Sequence, residues 1–595
     1  MLGKKLSSWG LVGTLVLALA LSACTKSNGA GNNPSTTASP SESSPAASSA
    51  SPSPSESGPD ASAPVAAAAE GPLGKYDPPI TITTVRHFNT GLKFVAGTDW
   101  DNNVYTNGLR DELGILIKNL WIVDDSQYSN KLNVSMVSGD LPDVFEVTLQ
   151  QLQLLVEAGA IADLTEAYEN YASDLSKQAL SEGGGIALET ATFNGRLMAI
   201  PESGSSSRDD AQFIWIRTDW LKKLNLEPPK SMDDVMNIAK AFVNGDPDGN
   251  GKKDTFGLNV DENLFNGWAG LDGFFNGYHA YPFNPGGQGG TGMNLMFLEK
   301  NGRLEYADIQ PEVKTALGKL QELYKAGAIN PEFSIMNGMK SAELATSGKV
   351  GMTFGQFWNA GWPLNDMKIK DPKVEWGIFP LVSADDLPVL KTSNNIVPKR
   401  FWVVSKKSEH PEAVVKFLNF FMEKNYGETK EIKYNALEEN GESKPTFGLA
   451  PVRGGFAETN QNDYYLVQEA LKTGDETKLT PKAKDYYDGI NRYRDGEVAL
   501  WPNEMMFGTE DGSSYGILSQ YKKNNEFMTN AFLGAPTPAI LKSGPALKDL
   551  QVKEFTKIIM GESPVDAFDA FVENWKNSGG NQILAEVNEW YQMRQ

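Results

Sequence analysis

The spacing of apolar residues changes period along the chain, and the changes predict alternating strands and helices. Ile80–Val85 is β-branched throughout and predicts a strand. Leu109–Leu120 predicts a helix, and Leu132–Met136 alternates apolar and polar residues, the strand period. Ser231 is placed to cap a helix, with Asp234 at its third position and Met232, Val235, Met236, Ala239 and Phe242 on one face. Val350–Phe354 and Phe401–Val404 read as buried strands, and Ser408–Pro411 as a helix start. Ser563-Pro564 opens a helix striped by Val565, Phe568, Phe571, Val572 and Trp575, which Gly579-Gly580 ends. The pattern predicts an α/β body with a helical C-terminal part and no internal repeat.

The N-terminus breaks this pattern. Residues 1–23 carry Lys4 and Lys5, then an apolar run from Trp9 to Leu21 that is short for a membrane span of about 20 residues. The run ends in Leu21-Ser22-Ala23-Cys24, which resembles a bacterial lipobox. Small residues fit the peptidase there, and the thiol takes diacylglycerol, so Cys24 is the expected lipidation site. Residues 25–70 are rich in Ser, Pro, Ala and Gly, without an aromatic residue and with Val65 as their largest aliphatic. Such a tract cannot bury enough apolar surface to order itself, and 24–75 is read as a lipidated Cys and disordered linker. As a flexible coil it would reach roughly 35–40 Å.

Composition narrows the function classes. With 595 residues the chain is too long for one ordinary core. Its formal charge is −21, and removal of the segment bearing Lys4 and Lys5 makes it −23. That balance argues against nucleic acid and against adhesion to anionic lipid through a basic face. One Cys and 3 His exclude internal disulfides and a Cys- or His-rich metal centre.

Six segments, taken in order, resemble the extracellular solute-binding proteins of family 1, and among them the LplA-like lipoproteins. They are Ser138–Val144, Phe193–Leu197 with Ile200-Pro201, Arg217–Leu221 with Pro229 and Met232, Gly348–Met352, Gly534–Pro538, and the Phe571–Trp590 stretch. The resemblance implies a periplasmic-binding-protein-like fold of type II: two α/β lobes with a ligand cleft between them. It places lobe one at 76–200 plus 374–435 and lobe two at 201–373 plus 436–595. It also implies a lipid-anchored, monomeric receptor on the outer face of the bacterial cytoplasmic membrane. Such a receptor captures an oligosaccharide and delivers it to ABC permease subunits, without catalysis. Two alternatives stay open: a secreted polysaccharide-active lipoprotein enzyme, and a peptide or signal receptor of the same fold. No His-Glu-x-x-His or phosphate-loop motif marks an enzyme.

Two sets of residues carry candidate chemistry. In Asp246-Pro247-Asp248-Gly249-Asn250-Gly251-Lys252-Lys253-Asp254, oxygen side chains recur at positions 1, 3, 5 and 9, with glycine at position 6. Lys252 at position 7 would offer its carbonyl, so Asp246, Asp248, Asn250, Lys252 and Asp254 are candidate ligands of a structural calcium ion. The twelfth position is Gly257 instead of Glu, and Thr255 stands where alginate-binding relatives carry Glu. The bland reading is a polar turn. The second set would line the cleft: Trp358 after the strand Val350–Phe354, Trp268 in a Gly/Asn-rich stretch, Trp501 with Phe507, and Asp140, Trp100, Asp101 and Arg86. Sugar C–H faces stack on Trp, and hydroxyls pair with carboxylates and guanidinium groups. Asp143 is read as structural, and Asp101 either meets ligand or caps a helix.

Overall fold

The computed structural model describes residues 70–88, 94–204, 208–265, 267–283, 295–393, 398–439 and 442–593. The expected signal segment, Cys24 and nearly all of the linker lie outside them. Among the described residues, no helix is long and apolar enough to cross a membrane.

Among the described residues, nine strands form the two main sheets: β1 (Ile80–Phe88), β2 (Ile115–Asp124), β3 (Val144–Val147), β4 (Ile200–Pro201), β5 (Phe213–Arg217), β6 (Phe256–Leu258), β7 (Val350–Gly355), β8 (Trp376–Phe379) and β9 (Phe401–Val404). The first sheet has the order β2-β1-β3-β9-β4, and the second β8-β5-β7-β6. In the first, β1 runs parallel to β2 and β3, whereas β9 is antiparallel to β3 and β4. In the second, β5 is antiparallel to both neighbours and β7 parallel to β6.

Each sheet has its own core. One gathers residues from Tyr76 to Ile200 and from Phe401 to Val452. The second sheet is shared by two clusters, one taking in the C-terminal helices through Phe555, Phe571, Trp575 and Val587, the other Trp215, Trp268, Trp376 and Tyr515. The chain therefore crosses between sheets after β4 and returns before β9. Two placements differ from the expected boundaries. β8, expected with lobe one, pairs with β5 in the second sheet. Leu449, Ala450 and Val452, expected with lobe two, pack in the first core. Strand pairing across about 160 residues decides the first, and hydrogen bonds from Arg86 to the carbonyls of 448–450 hold the second; local periodicity carries no trace of either.

Locally, Ser231 caps the helix Met232–Asn244 in a reciprocal box with Asp234, and the expected apolar face is buried. Phe401–Val404 is buried at every position. Two expectations fail. The helix expected to run from Leu109 to Leu120 stops at Leu113, because Gly114 takes a left-handed φ of 66° and its Cβ would meet the Tyr76 carbonyl at 2.4 Å. The β-branched Ile115 and Ile117 then continue as β2. Leu132–Met136, alternating as a strand would, lies in the helix Asp125–Ser138, which Asp124 caps through the Ser126 amide. The glycine pair at 579–580 ends the helix that runs from Ala567, as expected: Gly579 has φ 124°, outside helical space, and a separate helix, Asn581–Gln592, follows.

Candidate functional site

A groove opens where β1 and β3 end. A cavity of about 470 Å³ is bounded by Arg86, His87, Trp100, Trp402, Phe447 and Arg453. A second, of about 440 Å³, shares His87, Asp125, Glu146 and Arg400 with it and extends to Glu202. Strand carboxyl ends are where open α/β sheets place ligands, because the helices that follow leave a crevice there.

Glu146 is the hub. It sits on β3 opposite Trp402 of β9, so strand register carries Arg400, two residues earlier on β9's chain, to the same end. Arg400 Nε lies 3.2 Å from its Oε1, His87 Nε2 3.2 Å from the same oxygen, and Arg453 Nη2 3.9 Å from Oε2. The other His87 nitrogen, Nδ1, is 2.6 Å from Asp125 Oδ1, and Arg400 Nη1 is 3.6 Å from Glu202. Burial opposes charge on both Glu146 and His87. The partners outweigh it, so the carboxyl is held below its ordinary value and the imidazole above its own. Glu202 moves the other way: burial raises it despite the pull of Arg400 and Arg453. The groove thus presents charge-assisted donors and acceptors, flanked by aromatic rings, with their charges already paired.

The expected residues are placed unequally. Trp100 lines the groove, half-buried, edge-on to Phe94 with centroids 5.5 Å apart. The Arg86 guanidinium lies 5.2 Å from the Trp100 ring centre. Arg86 is itself a strut: only 9% exposed, it donates from Nη2 to the carbonyls of Gly448, Leu449 and Ala450 at 3.3, 2.9 and 2.9 Å. Burial, with Arg453 nearby, pulls it down to about 10. Asp101 is exposed and accepts from Asn119 at 2.8 Å; the cap of the helix Val104–Leu113 is Asn103. Asp140 lies exposed ahead of β3, at the strand's amino end, and borders neither cavity. Asp143 ties β3 to β1 by accepting from the Thr83 amide at 2.9 Å and from its hydroxyl at 2.5 Å.

At the second sheet, Trp358 sits in the turn Phe357–Ala360 directly after β7, half-buried, its indole N–H donating to Gln356. Trp268 is a core residue. It is 1% exposed, donates to the Gly338 carbonyl at 2.9 Å and packs edge-on against Trp362, leaving no ring face for a ligand. Trp362, at 36% exposure, is the ring this cluster shows to solvent. Trp501 and Phe507 are buried, and Phe507 stacks between Tyr486 and Tyr515. Sequence reading passed over His87, Glu146, Arg400 and Arg453. The available signal was a carboxylate inside the apolar run Val144–Val147.

The loop 246–254 does not fit calcium. Among the described residues, no group of three or more His, Cys, Asp or Glu side chains could hold a metal ion. The Thr255 hydroxyl is buried and donates to the Phe242 carbonyl at 2.7 Å, so it is turned away from the loop. The twelfth position has no room for a ligand: a Cβ on Gly257 would lie 2.1 Å from the Ala239 carbonyl oxygen.

Two sheets with separate cores, joined by a chain that crosses between them, make this a two-lobed α/β protein of the solute-binding type. Solved structures share the architecture. The HMO-binding ABC-transporter-associated solute-binding protein of Bifidobacterium longum infantis matches with a TM-score of 0.59 at 16% identity, over 87% of this chain and 99% of that one. The Streptococcus pneumoniae substrate-binding protein FusA, as an EF-hand mutant in complex with fructo-nystose, matches at 0.53 and 17%, over 87% and 99%. The bacterial extracellular solute-binding protein family matches residues 122–427, and the chain belongs to it. Lipoprotein LipO of Bacillus subtilis (strain 168) is 26% identical over 499 residues, 83% of this chain and 89% of that protein.

Proposed function

We propose that this chain is a lipid-anchored extracellular receptor that captures an oligosaccharide and hands it to an ABC permease. The observation that carries the reading is the groove at the ends of β1 and β3. It sets the Trp100 ring beside the paired charges of His87, Glu146, Arg400 and Arg453. Rings of that kind stack on sugar faces, and charge-assisted donors and acceptors recognise hydroxyls. The ligands named for the Bifidobacterium and FusA neighbours point the same way. Trp358 supplies a second stacking ring from the other sheet, while Trp268, Asp101 and Asp140 serve structure or solvent.

In this account lobe one comprises residues 76–202 and 400–455, and lobe two the remainder of the body. The lobes close on the sugar by hinge motion, and the closed form docks on the permease. The protein acts as a monomer without catalysis, on the outer face of the cytoplasmic membrane, held there through Cys24. A thermal-shift screen against plant and microbial oligosaccharides tests the reading, because a bound ligand raises stability by mass action. The expected result is a Tm rise with one sugar class that Trp100→Ala abolishes. No rise with any saccharide overturns it.

A further inference from the structure

The loop 246–254 already contains a cation, and it belongs to the chain. Lys349, the residue before β7, reaches across to the loop. Its Nζ lies 3.2 Å from Asp248 Oδ2 and 2.6 Å from Asp254 Oδ2. The same residue's carbonyl accepts from the Phe256 amide at 2.7 Å, so main chain and side chain together fasten the point where the loop enters β6. On the other side Lys223 Nζ donates to the carbonyls of Asp246 and Pro247, at 3.2 and 2.9 Å.

The remaining oxygens have donors too. The Asp246 carboxylate accepts the amides of Asn250 and Gly251, both at 3.0 Å. The Asn250 side-chain amide donates to Asp248 at 2.7 Å and to Asp254 at 3.0 Å, while its oxygen accepts from the Lys252 amide at 2.7 Å. A calcium ion at this place would need six to eight oxygens at roughly 2.3–2.6 Å. Asn250 instead turns its NH₂ toward the carboxylates, Thr255 faces Phe242, and the packing of Ala239 against Gly257 forbids a twelfth-position carboxylate.

We propose that the Lys349 ammonium is the structural cation of this loop, and that the fold does not use calcium there. Lys349 joins two of the three loop carboxylates, Lys223 holds the loop's first turn, and both are supplied by neighbouring elements instead of by the medium. This inference is independent of the sugar-binding reading.

The test begins with purified protein freed of metal by EDTA, titrated with CaCl₂ by calorimetry and melted in EDTA and in millimolar CaCl₂. The expected result is no saturable heat and the same Tm in both. Lys349→Gln should melt lower than wild type in EDTA, and added Ca²⁺ should not restore it, because Asn250, Thr255 and Gly257 still offer the ion no complete oxygen shell. Stoichiometric Ca²⁺ binding by the wild type with a raised Tm overturns the proposal. A Lys349→Gln protein that melts like wild type in EDTA also overturns it. Should that variant fail to fold, Asp248→Asn with Asp254→Asn removes the same ion pairs and keeps the lysine. Its Tm should fall and stay indifferent to Ca²⁺, and an unchanged Tm contradicts the proposal.

Discussion

Glu146→Gln isolates the hub of the groove with little change of shape. The wild-type carboxylate meets His87 and Arg400 at 3.2 Å each and Arg453 at 3.9 Å, on a side chain only 16% exposed. Gln keeps one acceptor oxygen and removes the charge, so Arg400, Arg453 and the His87 ring face a neutral amide that also presents two donors. Hydrogen bonds to charged groups contribute about 1.5–3 kcal/mol, and a half-dismantled buried network costs more than its pairs suggest. A loss of about 2–3 kcal/mol is therefore expected, a fall in Tm on the order of 5 °C. The pH profile should change as well. The folded-state value of His87 is raised above its ordinary 6.5, so its contribution is fully present below that value and is lost as pH rises through the folded one. Wild type should therefore lose stability as pH climbs above 6.5. Glu146→Gln should lose much less, because Asp125 alone then supports the imidazolium. Urea unfolding across that pH window reads both quantities. An equally stable variant with an unchanged pH slope would refute the network as described.

Other expectations follow from burial. Trp358→Ala should weaken saccharide binding by about 1–3 kcal/mol, roughly 5- to 150-fold by calorimetry. Its stability cost should stay below that of a fully buried Trp, since the ring is only half-buried. Trp268→Ala should do the reverse, losing about 3–5 kcal/mol of stability on denaturant titration while the folded fraction binds normally; loss of affinity without loss of stability would put that ring back in the cleft. Cys24→Ala should abolish lipid labelling and membrane retention, and labelling that persists would rule out the anchor.

What the sequence revealed was local. The Ser231 cap, the apolar face of its helix and the buried strand Phe401–Val404 follow from spacing over a dozen residues, and all three stand as expected. The misassigned stretches 109–120 and 132–136 have local patterns that one tertiary contact and one helix cap override. Tyr76 closes on Gly114 and forces the turn, and a helix cap at Asp124 outweighs a five-residue alternation. The site was less legible because its parts are 53 to 366 residues apart in the chain. His87, Glu146 and Arg400 meet through the pairing of β1 with β3 and of β3 with β9, and Arg453 follows the segment 448–450 that Arg86 holds. Arg86 shows the opposite limit: sequence placed it at the groove, but its hydrogen bonds go to the backbone at 448–450. Trp268 was misjudged because Gly and Asn nearby suggest an open loop, whereas the chain there folds back under Gly338.

The most direct test of capture without chemistry is to incubate the protein with the saccharide that stabilises it, isolate the complex, and release and weigh the ligand by mass spectrometry. The account predicts one intact oligosaccharide per chain, lost in Trp100→Ala and unchanged after prolonged incubation. Recovery of shorter fragments that accumulate with time, or of no saccharide at all, would contradict it.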